Sequence, residues 1–197
     1  MRKAFARRVL RLARWRAVGD IPSSGILVGA PHTSNWDWVA MWLLMWSGGV
    51  PPRVLIKAEV MHTALGPLLR ANGGISLDRQ NPGAVVRDLL AEAKTAKTGE
   101  PFLLIIAAEG TRKKGEHWKS GFYRIARQTG LPISMGFIDG PTRTLGFGPS
   151  FIPTGDVVAD MDRVRAFYAD KHGIHPELRT EPRLREEDAA GRREREP

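Results

Sequence analysis

The residues best suited to chemistry are a histidine and an aspartate separated by four positions, His32 and Asp37. They follow the apolar residues 25–30, so they lie where a buried strand would end. A histidine can take a proton from a hydroxyl near neutral pH, and a neighbouring carboxylate can hold the imidazole in the correct tautomer. The pair therefore predicts a general base with its orienting acid. Asp37 has a second interpretation, since Ser34 and Asp37 have the spacing of a helix capping box, and the two roles could coexist.

A second cluster is the run Glu109-Gly110-Thr111-Arg112, which follows another apolar run. Gly110 permits close backbone approach, Thr111 offers a hydroxyl, and the planar guanidinium of Arg112 suits bidentate phosphate binding. Lysines nearby, Lys119 among them, extend the positive field. A polar turn would explain the lysines, but not a glutamate at the end of a buried strand. The run predicts an anion-binding loop, and the two clusters together indicate acyl transfer to a phosphate-bearing acceptor.

A third cluster, Asp78-Arg79, ends a short strand-like run just before a predicted helix start at Asn81 and Pro82. Backbone amides at a helix N-terminus favour anions. Arg79 is therefore a further candidate for phosphate binding. A surface turn in which the aspartate pairs with the arginine is the simpler alternative.

Apolar strand-like runs alternate with helical patterns, which predicts an α/β fold with a mixed, largely parallel central sheet flanked by helices. Such a sheet places its sites at the carboxyl edge of the strands, where His32 would lie. The predicted strands cover residues 25–30, 53–57, 75–77, 102–107 and 132–137, with a hairpin or edge strand at 144–152. The predicted helices cover residues 35–46, 82–98, 120–128 and 157–171.

The composition favours anionic partners. The 197 residues carry a net charge of +9, with a pI near 10.5. No cysteine is present, which excludes disulfides, thiolate zinc sites and a cysteine nucleophile. No run approaches the ~20 apolar residues of a membrane-spanning helix. Because no nucleic-acid-binding motif with interleaved aromatic residues occurs, membrane surfaces and phosphorylated substrates are favoured over nucleic acid.

Three regions are expected along the chain. Residues 1–18 form a basic amphipathic helix that either lies in a membrane interface or packs on the domain. Its apolar side consists of Phe5, Val9, Leu12 and Ala13. Residues 19–179 form the single folded domain. Residues 180–197 are charged and almost free of large apolar side chains, so they are expected to be disordered.

Trp38, Trp42 and Trp46 recur at helical spacing after the histidine–aspartate pair. Such a stripe is more often core than surface, but an exposed one could accept a fatty chain or enter the membrane interface. The remaining histidines have no partners at metal-ligand spacing, so they are interpreted as surface or packing residues and no metal site is predicted. They are His62, His117, His172 and His175.

The ordered set of His32-x4-Asp37, a strand ending in Arg79, and Glu109-Gly110-Thr111-Arg112 resembles the motifs of the glycerolipid acyltransferases. That family includes 1-acyl-sn-glycerol-3-phosphate acyltransferase. The similarity extends from about Gly25 to Phe137 and is greatest to short bacterial members without long transmembrane helices. One departure is Pro31, where many members have asparagine before the histidine.

The resemblance implies transfer of a fatty acyl group from acyl-CoA or acyl carrier protein to the hydroxyl of a lysophospholipid such as 1-acylglycerol-3-phosphate, in phospholipid biosynthesis or remodelling. It implies His32 as base and Asp37 as its partner. Arg79 and the loop Glu109–Arg112, extended by Lys119, would bind the acceptor's glycerol and phosphate. No metal or cofactor is implied beyond the thioester co-substrate. The expected location is the cytoplasm, peripherally on the inner membrane.

Three alternatives stay open at this stage. The acceptor could be another lipid hydroxyl or amine. The same base could activate water and hydrolyse the thioester. A non-catalytic module that binds anionic membranes would explain the charge and the N-terminal helix, but would leave the ordered motifs as coincidence.

Overall fold

The computed structural model describes residues 2–49, 53–77, 91 and 102–193, which form an α/β fold with helices on both faces of one sheet. Its strands are β1 (Arg16–Val18), β2 (Gly25–Ala30), β3 (Arg53–Lys57), β4 (Gly74–Leu77), β5 (Leu103–Ala107), β6 (Ile133–Asp139) and β7 (Thr144–Phe151). Its helices are α1 (Arg2–Leu12), α2 (Trp36–Gly48), α3 (Ala58–Met61), α4 (Gly66–Ala71), α5 (Gly121–Thr129), α6 (Val157–Tyr168) and α7 (Arg185–Arg193), with a short 3₁₀ turn at Pro176–Leu178. The helix predicted at 82–98 lies outside the described residues, apart from residue 91.

The strand order is β1-β7-β6-β2-β5-β3-β4, and the described strands pair in parallel except for β6 with β7. This confirms the mixed, largely parallel sheet. The segment at 144–152 forms one long strand antiparallel to β6 rather than a hairpin of its own. Strand β1 was not predicted, because its three residues Arg-Ala-Val are too few and too polar to give a strand pattern. It forms at the edge of the sheet, paired in parallel with β7.

The sheet separates two hydrophobic cores, because successive side chains of a strand point to opposite faces. On one face, Ile26 and Val28 pack with α5 and α6. On the other face, Leu27 packs with α1 and α2. The Tyr168 hydroxyl at the end of α6 lies 3.0 Å from the Val28 carbonyl oxygen and 2.9 Å from that of Gly136. This contact fixes α6 against β2 and β6.

Helix α1 divides its apolar residues between the domain and the solvent. Ala6 and Leu10 are buried against the rest of the fold, whereas Phe5 is 57% exposed and Leu12 is 75% exposed. The helix also ends at Leu12, earlier than the predicted boundary at residue 18. It therefore packs on the domain and still presents apolar side chains among its arginines outward.

The predicted disordered tail is a point of difference, since residues 180–193 are ordered in the structure. Thr180 and Leu184 are buried, and Glu187 of α7 pairs with Arg165 of α6 at 2.6 Å. A single apolar anchor and ion pairs with a neighbouring helix hold the segment. One leucine among many charged residues does not predict order, and the ion-pair partner Arg165 lies outside the tail. Residues 194–197 lie outside the described part of the chain.

Candidate active site

The two main motifs follow neighbouring strands. β2 and β5 are parallel, with Gly25 opposite Leu103 and Gly29 opposite Ala107, so the loops after them begin at the same edge. From β2 the chain passes through α2 to β3, beyond β5; from β5 it returns through α5 to β6, beyond β2. The two connections run in opposite directions and lie on opposite faces of the sheet. Open α/β sheets bind ligands at such a switch point.

His32 and Asp37 form the predicted pair, with 3.1 Å between His32 Nδ1 and Asp37 Oδ2. The same carboxylate oxygen accepts from the amides of Thr33 and Ser34, each at 2.8 Å. An ionised carboxylate can only accept, so the imidazole carries its proton on Nδ1 and leaves Nε2 as the basic nitrogen. Ser34 Oγ in turn accepts from the Trp36 amide at 3.2 Å. Asp37 thus orients the histidine and caps the start of α2 at once.

Glu109 connects the two motifs. Its Oε1 accepts a hydrogen bond of 2.9 Å from the backbone amide of His32. The residue is only 2% exposed, and burial raises the pKa of its carboxyl, a shift opposed by the His32 amide and by the hydroxyl and amide of Thr180. The sequence placed Glu109 among the substrate-binding residues. In the structure its contact is with the loop that carries the histidine.

The rest of the Glu109–Arg112 loop is open to solvent. Gly110 has φ +65°, and a Cβ there would lie 3.0 Å from Lys119 Cγ, so the position favours glycine. Thr111 Oγ1 accepts from the Lys113 amide at 3.3 Å. The side chains of Arg112 and Lys119 are exposed. A cavity of about 280 Å³ lies beside this loop, with walls that include Glu109, Thr111, Lys119 and Arg185.

Arg79 lies outside the described residues. Strand β4, which precedes it, ends at Leu77 and runs parallel to β3, which is itself parallel to β5. The chain therefore leaves β4 at the same sheet edge as His32 and Glu109. Its part in phosphate binding stays a prediction.

The segment 172–175, which carries no recognised motif, packs against the loop that contains His32. The amide of His175 donates to Thr33 Oγ1 at 3.0 Å. Gly173 packs so closely that a Cβ there would lie 2.8 Å from the same oxygen. Asp139, at the end of β6, holds this segment by accepting from the His172 amide at 2.8 Å. These contacts were not predicted from the sequence. Gly173, between His172 and His175, was the one residue that could have indicated a close approach of the backbone.

The other histidines agree with the surface or packing interpretation. His172 and His175 are half-exposed, and His117 is paired with Asp188 at 2.8 Å between Nε2 and Oδ2. Within the described part of the chain, no group of three or more histidine, cysteine, aspartate or glutamate side chains is arranged to hold a metal ion. Over those same residues, no helix is long and apolar enough to cross a membrane.

Comparison with known proteins gives two findings. A family model described as Acyltransferase matches residues 14–135. A solved structure, the 1-acyl-sn-glycerophosphate acyltransferase PlsC from Thermotoga maritima, is similar with a TM-score of 0.59 and 18% sequence identity, over 88% of this chain and 76% of that one. At that identity the likeness shows a shared fold. No similar sequence was found among curated proteins.

Proposed function

Because the chain belongs to the acyltransferase family, we propose that it transfers a fatty acyl group from a thioester donor to the hydroxyl of a phosphate-bearing lysophospholipid. The donor is acyl-CoA or acyl carrier protein, and 1-acylglycerol-3-phosphate is the first acceptor to test. One observation carries the proposal: the His32–Asp37 pair is tied by Glu109 to the loop that presents Arg112 and Lys119. A base and an anion-binding surface thus lie at one sheet edge.

The proposed chemistry needs no covalent enzyme intermediate. His32 Nε2 takes the proton of the acceptor hydroxyl, and the oxygen attacks the thioester carbonyl. The tetrahedral intermediate collapses, the C–S bond breaks, and the imidazolium returns its proton to the departing thiolate. Asp37 stabilises the imidazolium in between, because its buried oxygen already accepts from Nδ1. Backbone amides or the Thr111 hydroxyl stabilise the oxyanion.

The acceptor's phosphate is proposed to bind along the exposed cations of the loop. Arg112 offers a planar fork that suits two phosphate oxygens, and Lys119 adds a point charge beside it. Both side chains are exposed at the site edge. Arg79 is a third proposed contact, since β4 runs towards the same edge. No metal or cofactor is part of this mechanism, and the thioester is the co-substrate.

The substrate is proposed to reach the site from an anionic membrane surface on which the enzyme sits, on the cytoplasmic side of the inner membrane. Helix α1 carries arginines and no acidic residue. The helices on its face of the sheet expose apolar side chains, whereas Ile152 and Val158 are the large apolar residues exposed elsewhere in the described part of the chain. The exposed set on that face is Phe5, Leu12, Trp36, Val39, Val60, Leu65 and Leu68. Interfacial helices combine these features.

The function is tested by thiol release from a long-chain acyl-CoA, with and without 1-acylglycerol-3-phosphate, for the wild type and His32→Ala. We expect acceptor-dependent release that falls at least a thousandfold in the variant, because a base that acts as a unit with its acid is lost. Wild-type activity should rise with pH as histidine side chains lose their proton. Equal release without acceptor would identify a thioesterase instead, and near-normal turnover by the variant would exclude His32 as the base.

A further inference from the structure

Thr33, the residue after His32, uses both its backbone amide and its hydroxyl to hold the loop. It is 2% exposed, so it has little surface with which to touch a substrate. Its amide donates at 2.8 Å to Asp37 Oδ2, the same oxygen that holds the His32 imidazole. Its hydroxyl oxygen accepts from the amide of His175 at 3.0 Å. Thr33 thus joins the His32–Asp37 pair to a segment 142 positions downstream of Thr33.

Gly173, two residues before His175, lies against the chain on both sides of His32. It is buried and has φ +76°. A Cβ at this position would lie 2.8 Å from Thr33 Oγ1 and 3.0 Å from Pro31 Cβ, closer than side-chain atoms normally approach. Thr33 has a short β-branched side chain and Pro31 a rigid ring, so neither can turn aside. Any side chain at position 173 must therefore displace the loop.

The segment that holds the loop is itself fixed to the end of β6, the strand beside β2. Asp139, the last residue of β6, is 1% exposed and accepts from the His172 amide at 2.8 Å through Oδ1. Its other oxygen accepts from the amide of Thr142 at 3.1 Å. The next residue, Gly140, donates its amide to the Gly173 carbonyl at 2.9 Å. The position of Gly173 is thus set by the sheet and not by the loop that it supports.

We propose that Thr33 and Gly173 are positioning residues for acyl transfer: through them, the end of β6 sets where the backbone of His32 lies relative to a bound acceptor. The role rests on the proposed function of His32 as base. Both residues are buried, so a change in either should move the base without removing a group that binds the acceptor. A misplacement of about 1 Å can lower a rate by up to a hundredfold. The loss should therefore fall on kcat and leave KM nearly unchanged.

The first test compares Gly173→Ala with Gly49→Ala in the full chain. Gly49, the C-cap of α2, is the matched control, because it also has a positive φ, +80°, but a Cβ there would meet nothing within 4 Å. Both variants take on the strain of a left-handed residue, and only Gly173→Ala also pushes on the loop. We expect Gly173→Ala to lower kcat roughly ten- to hundredfold with KM changed less than about twofold, and Gly49→Ala to leave kcat unchanged. Equal kcat values for the two variants, or a loss confined to KM, would overturn the proposal.

The second test approaches the same contact from Thr33 and does not depend on the folding of Gly173→Ala. Thr33→Val removes the hydroxyl and keeps the shape, and Thr33→Ser keeps the hydroxyl. Thr129→Val is the matched control, because Thr129 is also a buried threonine whose hydroxyl accepts a backbone amide, that of Leu131 at 3.2 Å. It lies at the end of α5, before the start of β6, whereas His32 follows the end of β2, which is parallel to β6.

We expect Thr33→Val to lower kcat roughly ten- to hundredfold, Thr33→Ser to stay within about threefold of wild type, and Thr129→Val to lose stability but not kcat. A serine variant as slow as the valine variant, or an equal loss in Thr129→Val, would each contradict the positioning role. The thermal midpoint of each variant is measured alongside, so that an unfolded sample is recognised.

A measurement without substrate separates this proposal from the function itself. The imidazole NMR signals of His32, assigned with His32→Gln, should move in Gly173→Ala and stay in place in Gly49→Ala. Because Gly173 is distant from His32 in sequence, such a change reports the contact and not a neighbouring substitution. If the wild type transfers no acyl group but these signals move, the proposed function fails and the positioning of His32 stands. If they stay in place in Gly173→Ala, the positioning role is wrong whatever the activity.

Discussion

At the scale of single residues, the site depends on carboxylates that do two things at once. Asp37 orients His32 and caps α2 through the same oxygen. The sequence allowed both roles, because the spacing to His32 and the spacing to Ser34 are each visible along the chain. The bond from the His32 amide to Glu109 could not be predicted in that way. It joins residues 77 positions apart, and its acceptor had a plausible role as a substrate contact.

Asp37→Asn and Asp37→Ala should separate the two roles of this aspartate. Asparagine keeps an acceptor for the Thr33 and Ser34 amides but loses the charge that stabilises the imidazolium, so we expect kcat to fall at least a hundredfold with little change in thermal midpoint. Alanine should lose the rate to a similar extent and about 1 kcal/mol of stability besides, as for a lost helix cap. Steady-state kinetics and denaturant unfolding give the comparison. Equal stability of the two variants would argue against the capping role.

Glu109 should make stability depend on pH. Its pKa is raised by burial above the value of 4.5 that it has when exposed, so the folded protein binds more protons than the unfolded one between the two values. Stability is then fullest below pH 4.5 and is lost as pH rises through the higher, folded-state pKa. Glu109→Gln carries no charge, and its carbonyl can still accept from the His32 amide.

Urea unfolding at steps from pH 4.5 to 8 should therefore show the wild type losing stability relative to Glu109→Gln as the pH rises. The difference between the two proteins cancels every other titrating group. If the stabilities of the wild type and Glu109→Gln changed with pH in parallel, the pKa of Glu109 would be the same in the folded and unfolded states.

At the scale of elements, short apolar runs between turns were enough to locate β2, β3 and β5, since buried parallel strands are nearly continuous in apolar residues. The helix predicted at 157–171 was also found, as α6, which Asp156 caps by accepting from the amides of Val158 and Ala159. Strand β1 and the order of the segment after Thr180 were not predicted from the sequence. Each is held by a partner distant in sequence, β7 in one case and Arg165 with Trp118 in the other.

The loop after β5 should be sensitive at Gly110. Gly110→Ala places a side chain at φ +65°, 3.0 Å from Lys119 Cγ, which costs about 1–2 kcal/mol and shifts the exposed cations. We expect a higher KM for a phosphate-bearing acceptor with a smaller effect on a neutral one. Gly121→Ala is the control, because a Cβ there meets nothing within 4 Å at the start of α5. If Gly110→Ala changed KM equally for both acceptors, the loop would not be part of the phosphate-binding site.

At the scale of the whole molecule, the two faces of the sheet differ in the kinds of side chain that their helices expose to solvent. The face covered by α1 to α4 combines exposed apolar side chains with the acid-free helix α1. The opposite face is covered by α5, α6 and α7, whose charges include close ion pairs such as Arg165 with Glu187. An enzyme with this asymmetry should meet a membrane in one orientation.

The double variant Phe5→Ser, Leu12→Ser should lose at least tenfold in affinity for phosphatidylglycerol-containing vesicles, because each apolar side chain contributes about 1.5–3 kcal/mol on burial. Ile152→Ser is the control, since Ile152 is 55% exposed but follows the end of β7, outside helices α1 to α4. Vesicle sedimentation at low and high salt measures both the apolar and the electrostatic part. Unchanged binding by the double variant would place the contact elsewhere.

The supports of His32 also set the order in which the site can form. His32 lies early in the chain, but Glu109 fixes its amide, and the neighbouring Thr33 is held by His175, 142 positions downstream of Thr33. A polypeptide still being synthesised has the His32–Asp37 pair long before it has these supports. Contacts of such long range also close slowly in refolding. The enzyme should therefore gain its secondary structure before its activity, both on the ribosome and after dilution from denaturant, because the site is incomplete until the segment around His175 has packed against Thr33.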